Sequence, residues 1–271
     1  MTNSLIALLP PSETKRDGGS TVSASLFGPV QDEAREEALT ELRALAGDAE
    51  AHQRALKLSD KLAETERARN LALCDAPRMP ALERYTGVLY DALDVASLPD
   101  AARTWALERY VIQSALWGLV RGSDAIPAYR CSASTGLGKR SMKQRWARAC
   151  AAVLAEHKGV VLDLRSKSYA ALGPLPDRDD ALVLEFVTRM PTGELKQLNH
   201  FNKQGKGEFL RTLALADSEV HEQLDAVGDM EGLCSVLRAL GIEIDPISER
   251  EAMVAVGDPR QQRLGQSTTT G

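Results

Sequence analysis

A continuous run of apolar residues near the start of the chain predicts a buried strand. Residues 5–9 are all apolar, and Pro10 and Pro11 end the run because proline cannot donate a hydrogen bond to a sheet. Residues 16–29 are rich in Gly, Ser and Thr, which is typical of a loop. The sequence therefore predicts an N-terminal strand with a polar loop behind it.

Leucines at near-helical spacing between residues 30 and 73 predict two helices, with a break at Gly47 and Asp48. The same criteria predict further helices over residues 81–92, 99–110, 139–157, 207–215, 219–227 and 231–240. Strands are predicted over residues 110–114, 159–163, 181–189, 196–201, 242–244 and 252–256. Because strands and helices interleave, we expect an α/β or mixed α+β fold, a single compact domain with a central mixed sheet surrounded by helices.

Length and composition are compatible with one soluble domain. The chain has 271 residues, of which 44% are hydrophobic, so it can bury a core without disulfides or metal ions. We expect the domain to span residues 1–258 and a flexible polar tail to follow over residues 259–271. The apolar run near the N-terminus follows no basic leader and is too short to cross a membrane. We therefore expect a cytoplasmic protein with no membrane partner.

The cysteines give no sign of a metal site or of disulfides. Four cysteines are scattered without a CxxC pair or a histidine at ligand spacing, which is typical of reduced thiols: Cys74, Cys131, Cys150 and Cys234. We expect neither a metal ion nor a cofactor. Cys131 follows Arg130, which would lower the pKa of the thiol, but burial would make it inert, and we favour the second alternative.

Charge is unevenly distributed along an acidic chain with a formal net charge of −5. Residues 121–167 hold ten basic residues against three acids, whereas residues 217–258 hold eleven acids against two basic residues. One face could then attract an anion, or the two blocks could neutralise each other in the fold. The basic helix predicted over residues 139–157 could likewise follow phosphates or form a solvated face, with Trp146 packing inward.

Two candidate sites follow predicted strands. Ser12, Glu13 and Lys15 come after the first strand, where open α/β sheets place ligands, and offer a hydroxyl, a base and a cation; the alternative is a solvated loop. The second candidate begins at Ser114 and contains Arg121, Tyr129 and Arg130, which suit a phosphate and a stacked base. Its alternative is a core anchor at Trp117 with a surface pair of Arg121 and Asp124.

Two further candidates lie later in the chain. Asp163 ends a predicted strand, where an acid can be catalytic or can cap the next helix, and it is followed by Ser166 and Tyr169. Residues 199–207 carry Lys203 and Lys206 among glycines at a helix start, with Arg211 beyond them. Such a segment can form a backbone cradle for an anion, although it matches no Walker A pattern.

Five segments in this order resemble the YaaA family of peroxide-stress proteins. They are residues 8–15, residues 80–93 including Tyr85, residues 114–130, the set Asp163, Leu164, Ser166 and Tyr169, and the set Lys203, Lys206, Gly207 and Arg211. The resemblance implies a cytoplasmic protein linked to peroxide stress and to limitation of free iron, with an unusual α/β fold. It also implies DNA binding through a positively charged cleft and a helix-hairpin-helix-like element. The sequence departs from the family at residues 131–133, and residues 204–207 only partly match such a hairpin.

Two functional hypotheses follow, and a third, iron binding, has no ligand cluster to support it. The chain either binds DNA or a nucleotide-like anion in a basic polar cleft, or is an enzyme that acts on a nucleobase or nucleotide. We expect Ser12, Glu13, Lys15, Tyr129, Arg130, Asp163, Lys203 and Arg211 to line one cleft. The predicted catalytic residues are Glu13, Lys15, Asp163 and Lys203. The predicted ligand-binding residues are Ser12, Tyr85, Ser114, Arg121, Tyr129, Arg130, Ser166, Tyr169, Lys206 and Arg211.

Overall fold

The computed structural model describes residues 4–20, 26–190 and 192–257. Within these residues, no helix combines the length and the apolar character needed to cross a membrane. The predicted tail over residues 259–271 falls outside the described residues. The part that is described forms one mixed sheet with helices packed around it, as the sequence predicts.

The described residues contain ten strands. They are β1 (Ile6–Leu9), β2 (Arg78–Pro80), β3 (Tyr110–Ser114), β4 (Gly118–Arg121), β5 (Ala125–Pro127), β6 (Val161–Asp163), β7 (Ala181–Arg189), β8 (Leu195–Lys196), β9 (Glu243–Pro246) and β10 (Glu251–Gly257). The main sheet has the order β4-β3-β1-β6-β7-β10-β9, with β8 paired to β7, and β2 and β5 form a small separate sheet.

Eleven α-helices connect or flank the described strands. They are α1 (Asp32–Gly47), α2 (Ala49–Leu56), α3 (Asp60–Leu71), α4 (Ala81–Arg84), α5 (Val88–Leu93), α6 (Asp100–Arg109), α7 (Met142–Glu156), α8 (Lys167–Ala170), α9 (Asn199–Leu215), α10 (Ser218–Ala226) and α11 (Met230–Ala239). Single turns of 3-10 helix cover Pro29–Gln31 and Val95–Ser97.

Five parallel strands form the centre of the sheet, in the order β3-β1-β6-β7-β10. All four residues of β1 are buried, because helices cover both faces and leave no polar side to the strand. From β1 the chain moves to β3 on one side, and it later enters β6 on the other side. The connections that leave β1 and β6 therefore diverge, and open α/β sheets commonly bind ligands at such a point.

Several element boundaries differ from the prediction, and backbone geometry explains one of them. The helix predicted over residues 81–92 is two short helices, α4 and α5, separated at Gly87, whose φ of +101° suits glycine and cannot continue a right-handed helix. The block predicted as two helices contains three, α1, α2 and α3. The strand predicted over residues 196–201 is also wrong beyond Lys196, since α9 begins at Asn199.

The glycines of α9 serve close packing, so the predicted backbone cradle for an anion is wrong. Gly205 and Gly207 lie inside the helix, where their N–H groups belong to its own hydrogen bonds. A Cβ on Gly207 would come within 2.2 Å of the Leu89 carbonyl oxygen of α5, and one on Gly205 within 2.4 Å of Val256. Both glycines allow α9 to approach its neighbours.

We expect Gly207→Ala to lower the free energy of unfolding by about 1–3 kcal/mol, because the added methyl group meets backbone that cannot move aside. Urea denaturation of the wild type and the variant measures this change. Gly228→Ala is the matched control, since a Cβ there meets nothing within 4 Å. Equal losses at the two positions would contradict the packing role of Gly207.

Candidate functional site

Two loops pair beyond the end of β1. Residues 14–16 run antiparallel to residues 84–86, with Lys15 opposite Tyr85, Arg16 N–H donating to Arg84 O at 2.8 Å and Thr86 N–H donating to Thr14 O at 3.2 Å. Gly87 permits this approach, because a Cβ there would lie 3.1 Å from Ser12 Oγ. The pairing places the Lys15 side chain beside Tyr85.

The Lys15 ammonium group lies in a buried tyrosine pocket. Lys15 is 7% exposed, and its Nζ donates to the carbonyl oxygens of Ser12 at 2.9 Å and Glu13 at 3.2 Å. The same Nζ lies 4.1 Å from the ring centre of Tyr129 and 5.2 Å from that of Tyr85. Burial, and then the neighbouring Arg130 guanidinium, lower the pKa of Lys15 from 10.5 to about 7.

Three buried hydroxyl groups form a chain next to Lys15. Tyr85 Oη and Tyr129 Oη are 2.7 Å apart, and Tyr129 Oη is 2.7 Å from Ser114 Oγ at the end of β3. Burial raises the pKa of both tyrosines well above its usual range. Tyr90 stacks on Tyr85 with ring centres 5.3 Å apart, so the hydroxyl chain is held between packed rings.

Arg130 joins this cluster from the segment after β5. Its Nη2 donates to Glu13 Oε2 at 2.5 Å, and its side chain is 13% exposed whereas that of Glu13 is 62% exposed. The side chain of Asn70 on α3 binds both backbone groups of Arg130, accepting from its N–H and donating to its carbonyl oxygen, each at 2.9 Å. Asn70 therefore fixes the backbone from which Arg130 projects.

Asp163 is held by an arginine that the sequence analysis did not consider. The Asp163 carboxylate accepts from Arg165 Nε at 2.8 Å, Arg165 Nη2 at 2.6 Å and the Arg165 backbone N–H at 2.9 Å, and both side chains are buried. Arg165 Nη1 also donates to Gln113 Oε1 at 2.9 Å. The helix-cap alternative for Asp163 is wrong, because α8 begins after Ser166 and has no side-chain cap. The carboxylate is already occupied, which weighs against its predicted catalytic role.

Two of the three predicted cations of α9, Lys206 and Arg211, bind backbone carbonyl groups of other segments. Lys206 Nζ donates to Leu164 O at 2.5 Å and lies 5.5 Å from the Phe186 ring centre. Burial lowers the pKa of Lys206 to about 8, against the opposing effect of Asp163. Lys203 is exposed on the same helix, and Arg211 donates to the carbonyl oxygens of Leu93 at 2.9 Å and Asp94 at 3.0 Å. None of the contacts of Lys206 or Arg211 among the described residues reaches the tyrosine pocket.

Arg121 lies away from the other predicted site residues. β4 runs antiparallel to β3 with Arg121 opposite Val111, so the strand carries Arg121 to the edge remote from Ser114. Its guanidinium lies 4.5 Å from the Phe27 ring centre. The Asp124 carboxylate accepts from the Arg121 backbone N–H at 2.8 Å. The structure therefore does not bring Arg121 together with Ser114, and Trp117 is buried in the core.

Tyr169 and Ser166 lie at the start of α8, near a surface pocket. Tyr169 Oη accepts from the Ala133 N–H at 3.3 Å, and the exposed Ser166 shares a hydrogen bond with Ser168. A pocket of about 310 Å³ borders Tyr169 and continues to the start of α7 at Met142. Most of its lining is apolar, including Leu172.

Two of the five basic residues over residues 139–148 are paired with acids of α1. Arg145 and Arg140 both bind Glu37, at 2.7 and 3.0 Å, and Arg145 also binds Glu41. Trp146 packs inward as predicted and donates to Ala115 O at 2.7 Å. No ion pair among the described residues joins the basic block over residues 121–167 to the acidic block over residues 217–258.

Cys131 is a buried thiol next to Arg130. Burial raises its pKa to about 12, which favours the buried alternative over a thiol activated by Arg130. Within the described ranges no three His, Cys, Asp or Glu side chains are placed to hold a metal ion.

The sequence analysis did not identify several residues that contact or surround the site residues from distant positions in the chain. Asn70 and Glu66 come from α3, and Glu66 is 6% exposed with its Oε2 lacking a partner among the described residues. Arg165 and Gln113 bind each other across β6, β1 and β3. The sequence shows that Arg165 lies two residues after Asp163, but it does not show that Arg165 binds Gln113. No sequence signal identified Asn70.

Comparisons with known proteins identify related sequences. A UPF0246 protein of Corynebacterium glutamicum is 39% identical over 249 residues, which cover 89% of this chain and 95% of the relative. A UPF0246 protein of Streptomyces coelicolor is 41% identical over 262 residues, covering 94% and 96%. An uncharacterized protein of Campylobacter jejuni is 26% identical over 179 residues, covering 65% and 68%. Residues 5–235 match the family model described as peroxide stress protein YaaA. The chain belongs to the YaaA family.

Proposed function

We propose that the side chains at the ends of β1 and β3 form a crevice that binds a nucleotide-like anion, and that the protein serves in protection against peroxide stress as its family description suggests. The observation that carries the proposal is the pair of adjacent cations, Lys15 and Arg130, opposite one exposed carboxylate, Glu13. Because the Arg130 guanidinium disfavours the charged form of Lys15, an anion bound between the two groups would relieve that repulsion.

The distribution of basic side chains favours a small anion over duplex DNA. A duplex needs several cations spread along a surface, and two of the five basic side chains over residues 139–148 are already paired with α1. The tyrosine pocket instead offers aromatic faces and hydroxyl donors within a few ångströms of Lys15. Such a combination suits one phosphate with a stacked or hydrogen-bonded base.

Calorimetric titration with nucleoside monophosphates and with a short DNA duplex, across a salt series, tests the proposal. We expect a nucleotide to bind with a shallow salt dependence and with preference among bases. Steeply salt-dependent binding of the duplex alone would instead assign the surface to nucleic acid. If no nucleotide bound at low salt, the proposal would be wrong.

We expect Arg130→Met to raise the dissociation constant for the bound nucleotide by at least about tenfold, since it removes a charge-assisted hydrogen bond to the anion. Arg121→Met is the matched control, because it removes the same charge at the remote edge of the sheet. Isothermal titration of both variants gives the comparison. Similar affinity losses in both would show that net charge matters and the crevice does not.

A second candidate function, catalysis on a nucleobase or nucleotide, is favoured by the lowered pKa of Lys15. An amine that is about half neutral near pH 7 can act as a base or a nucleophile. Incubation of nucleotides with the wild type and with Lys15→Met, followed by chromatography, tests this candidate. Turnover that persists in Lys15→Met at the wild-type rate would exclude Lys15 from the chemistry.

A further inference from the structure

The hydroxyl chain beside Lys15 has a direction that follows from its hydrogen bonds. Ser114 Oγ accepts from the backbone N–H groups of Leu116 at 3.1 Å and Trp117 at 2.9 Å. Both of its lone pairs are then engaged, so its own proton goes to Tyr129 Oη. Tyr129 in turn donates to Tyr85 Oη, which raises the pKa of Tyr129 and acts to lower that of Tyr85.

The series of three hydroxyl groups therefore ends at Tyr85, whose O–H group is still free to donate. Among the described residues, Tyr85 Oη has contacts with the other hydroxyls of the chain and with no acceptor for its own proton. A buried hydroxyl that must donate and has no acceptor favours a ligand that brings one. Tyr85 is 2% exposed, so the acceptor has to enter the pocket to meet it.

The hydrogen bonds of the Lys15 amine leave its lone pair available, just as those of Tyr85 leave its proton available. A neutral amine has two N–H groups, and the carbonyl oxygens of Ser12 and Glu13 can accept both of them. Its lone pair is then left for an electrophile. The Tyr129 face, 4.1 Å away, favours the charged amine, but burial and Arg130 outweigh it, since the pKa still falls to about 7.

We propose that Lys15 forms an imine with an anionic aldehyde in this pocket, with Tyr85 donating a hydrogen bond to the carbonyl oxygen and Arg130 binding the anionic group. The inference rests on the proposed function, because it names the ligand class for the same anion site. A lysine that is desolvated and next to another cation has the environment that activates amines for this reaction.

The reaction is balanced without an oxidant or a reductant. The Lys15 nitrogen lone pair forms a C–N bond with the carbonyl carbon, and the C=O π electrons move to the oxygen, where the Tyr85 O–H stabilises the negative charge. One proton passes from nitrogen to that oxygen to give a carbinolamine. The C–O bond then breaks, a second proton leaves nitrogen, and one water molecule is released as the C=N bond forms.

Entry to the pocket requires a movement of the segment from Ser12 to Thr14. Glu13 and Thr14 are exposed, and the segment is held by the Arg130–Glu13 ion pair and by Thr14 Oγ1 donating to Thr86 O at 3.3 Å. An anion that competes with Glu13 for Arg130 would release one of these contacts. Binding of the anion and access to Lys15 are thus coupled.

Reductive trapping of the full chain tests the inference. The protein is incubated near pH 7 with glyoxylate and cyanoborohydride, which reduces an imine to a stable carboxymethyl-amine, and the modified lysines are located by peptide mass spectrometry. We expect Lys15 to be modified at least about tenfold faster than an exposed lysine such as Lys61, because far more of its amine is neutral. Butyraldehyde, which lacks the anionic group, is expected to show less preference for Lys15.

Two outcomes would overturn the inference. The first is modification that follows exposure, with Lys15 no faster than Lys61. The second is a Tyr85→Phe variant that traps glyoxylate on Lys15 as fast as the wild type and the Tyr90→Phe control. A nucleotide titration of the same sample separates the two proposals. If a nucleotide binds but Lys15 is not trapped, only the proposed imine is contradicted. If Lys15 is trapped but no nucleotide binds, only the proposed nucleotide binding is contradicted.

Discussion

Replacement of Arg165 by methionine is expected to lower the free energy of unfolding by about 3–5 kcal/mol, the largest effect that the structure predicts for a single substitution. The guanidinium holds both oxygens of the buried Asp163 carboxylate and binds Gln113 as well. Methionine fills a similar volume but leaves the buried Asp163 carboxylate without its positively charged partner. Urea denaturation followed by circular dichroism measures the loss.

A double variant separates the buried charge from the lost packing. Combining Asp163→Asn with Arg165→Met removes the unpaired charge, so we expect it to recover at least about 1 kcal/mol relative to Arg165→Met alone. Arg148→Met on the exposed side of α7 is the control and is expected to change little. A double variant no more stable than the single one would show that the ion pair contributes through shape and hydrogen bonding rather than charge.

The second large effect is a dependence of stability on pH that disappears in Lys15→Met. Between pH about 7 and 10.5, the unfolded chain carries a charged Lys15 and the folded protein a neutral one, so unfolding takes up a proton. The free energy of unfolding of the wild type therefore rises with pH in this window, by up to about 1.4 kcal/mol per pH unit relative to the variant. Below pH about 7 the amine is charged in both states, and the difference becomes constant.

Denaturation at several pH values across this window measures the slope for both proteins. Other titrating groups contribute equally to the wild type and to Lys15→Met, so they cancel in the difference. Lys61→Met, which removes an exposed lysine from α3, is expected to follow the wild-type slope. Parallel curves for the wild type and Lys15→Met would show that the pKa of Lys15 is not lowered by folding.

The sheet was largely accessible to sequence reasoning because its central strands are continuous apolar runs. The strand predictions at β1, β3 and β7 are confirmed almost to the residue, since burial on both faces leaves a strong local signal. The short helices α4 and α5 were not separable, because the extended conformation of Tyr85 and the positive φ of Gly87 divide them without a sequence break such as proline.

The sequence predicted the positions of site residues that directly follow strand ends. It did not predict the positions of residues that come after a hairpin. Ser12, Lys15 and Ser114 meet because parallel strands bring their carboxyl ends to one edge. Arg121 was misplaced because the hairpin between β3 and β4 turns it to the other edge, and no pattern in residues 114–121 reveals that turn. Asn70 was missed because its bond to Arg130 joins residues 60 positions apart.

The order of the strands also constrains how the protein is synthesised. The last strand, β10, lies between β7 and β9 and pairs with β7 along seven residues, so the sheet is complete only when residue 257 has been made. A nascent chain that has emerged only as far as α11 presents the long edge of β7 unpaired to other chains. Ribosomes that stall, or messages that end early, near residue 240 would therefore release a product prone to aggregation, although the site residues have all been translated.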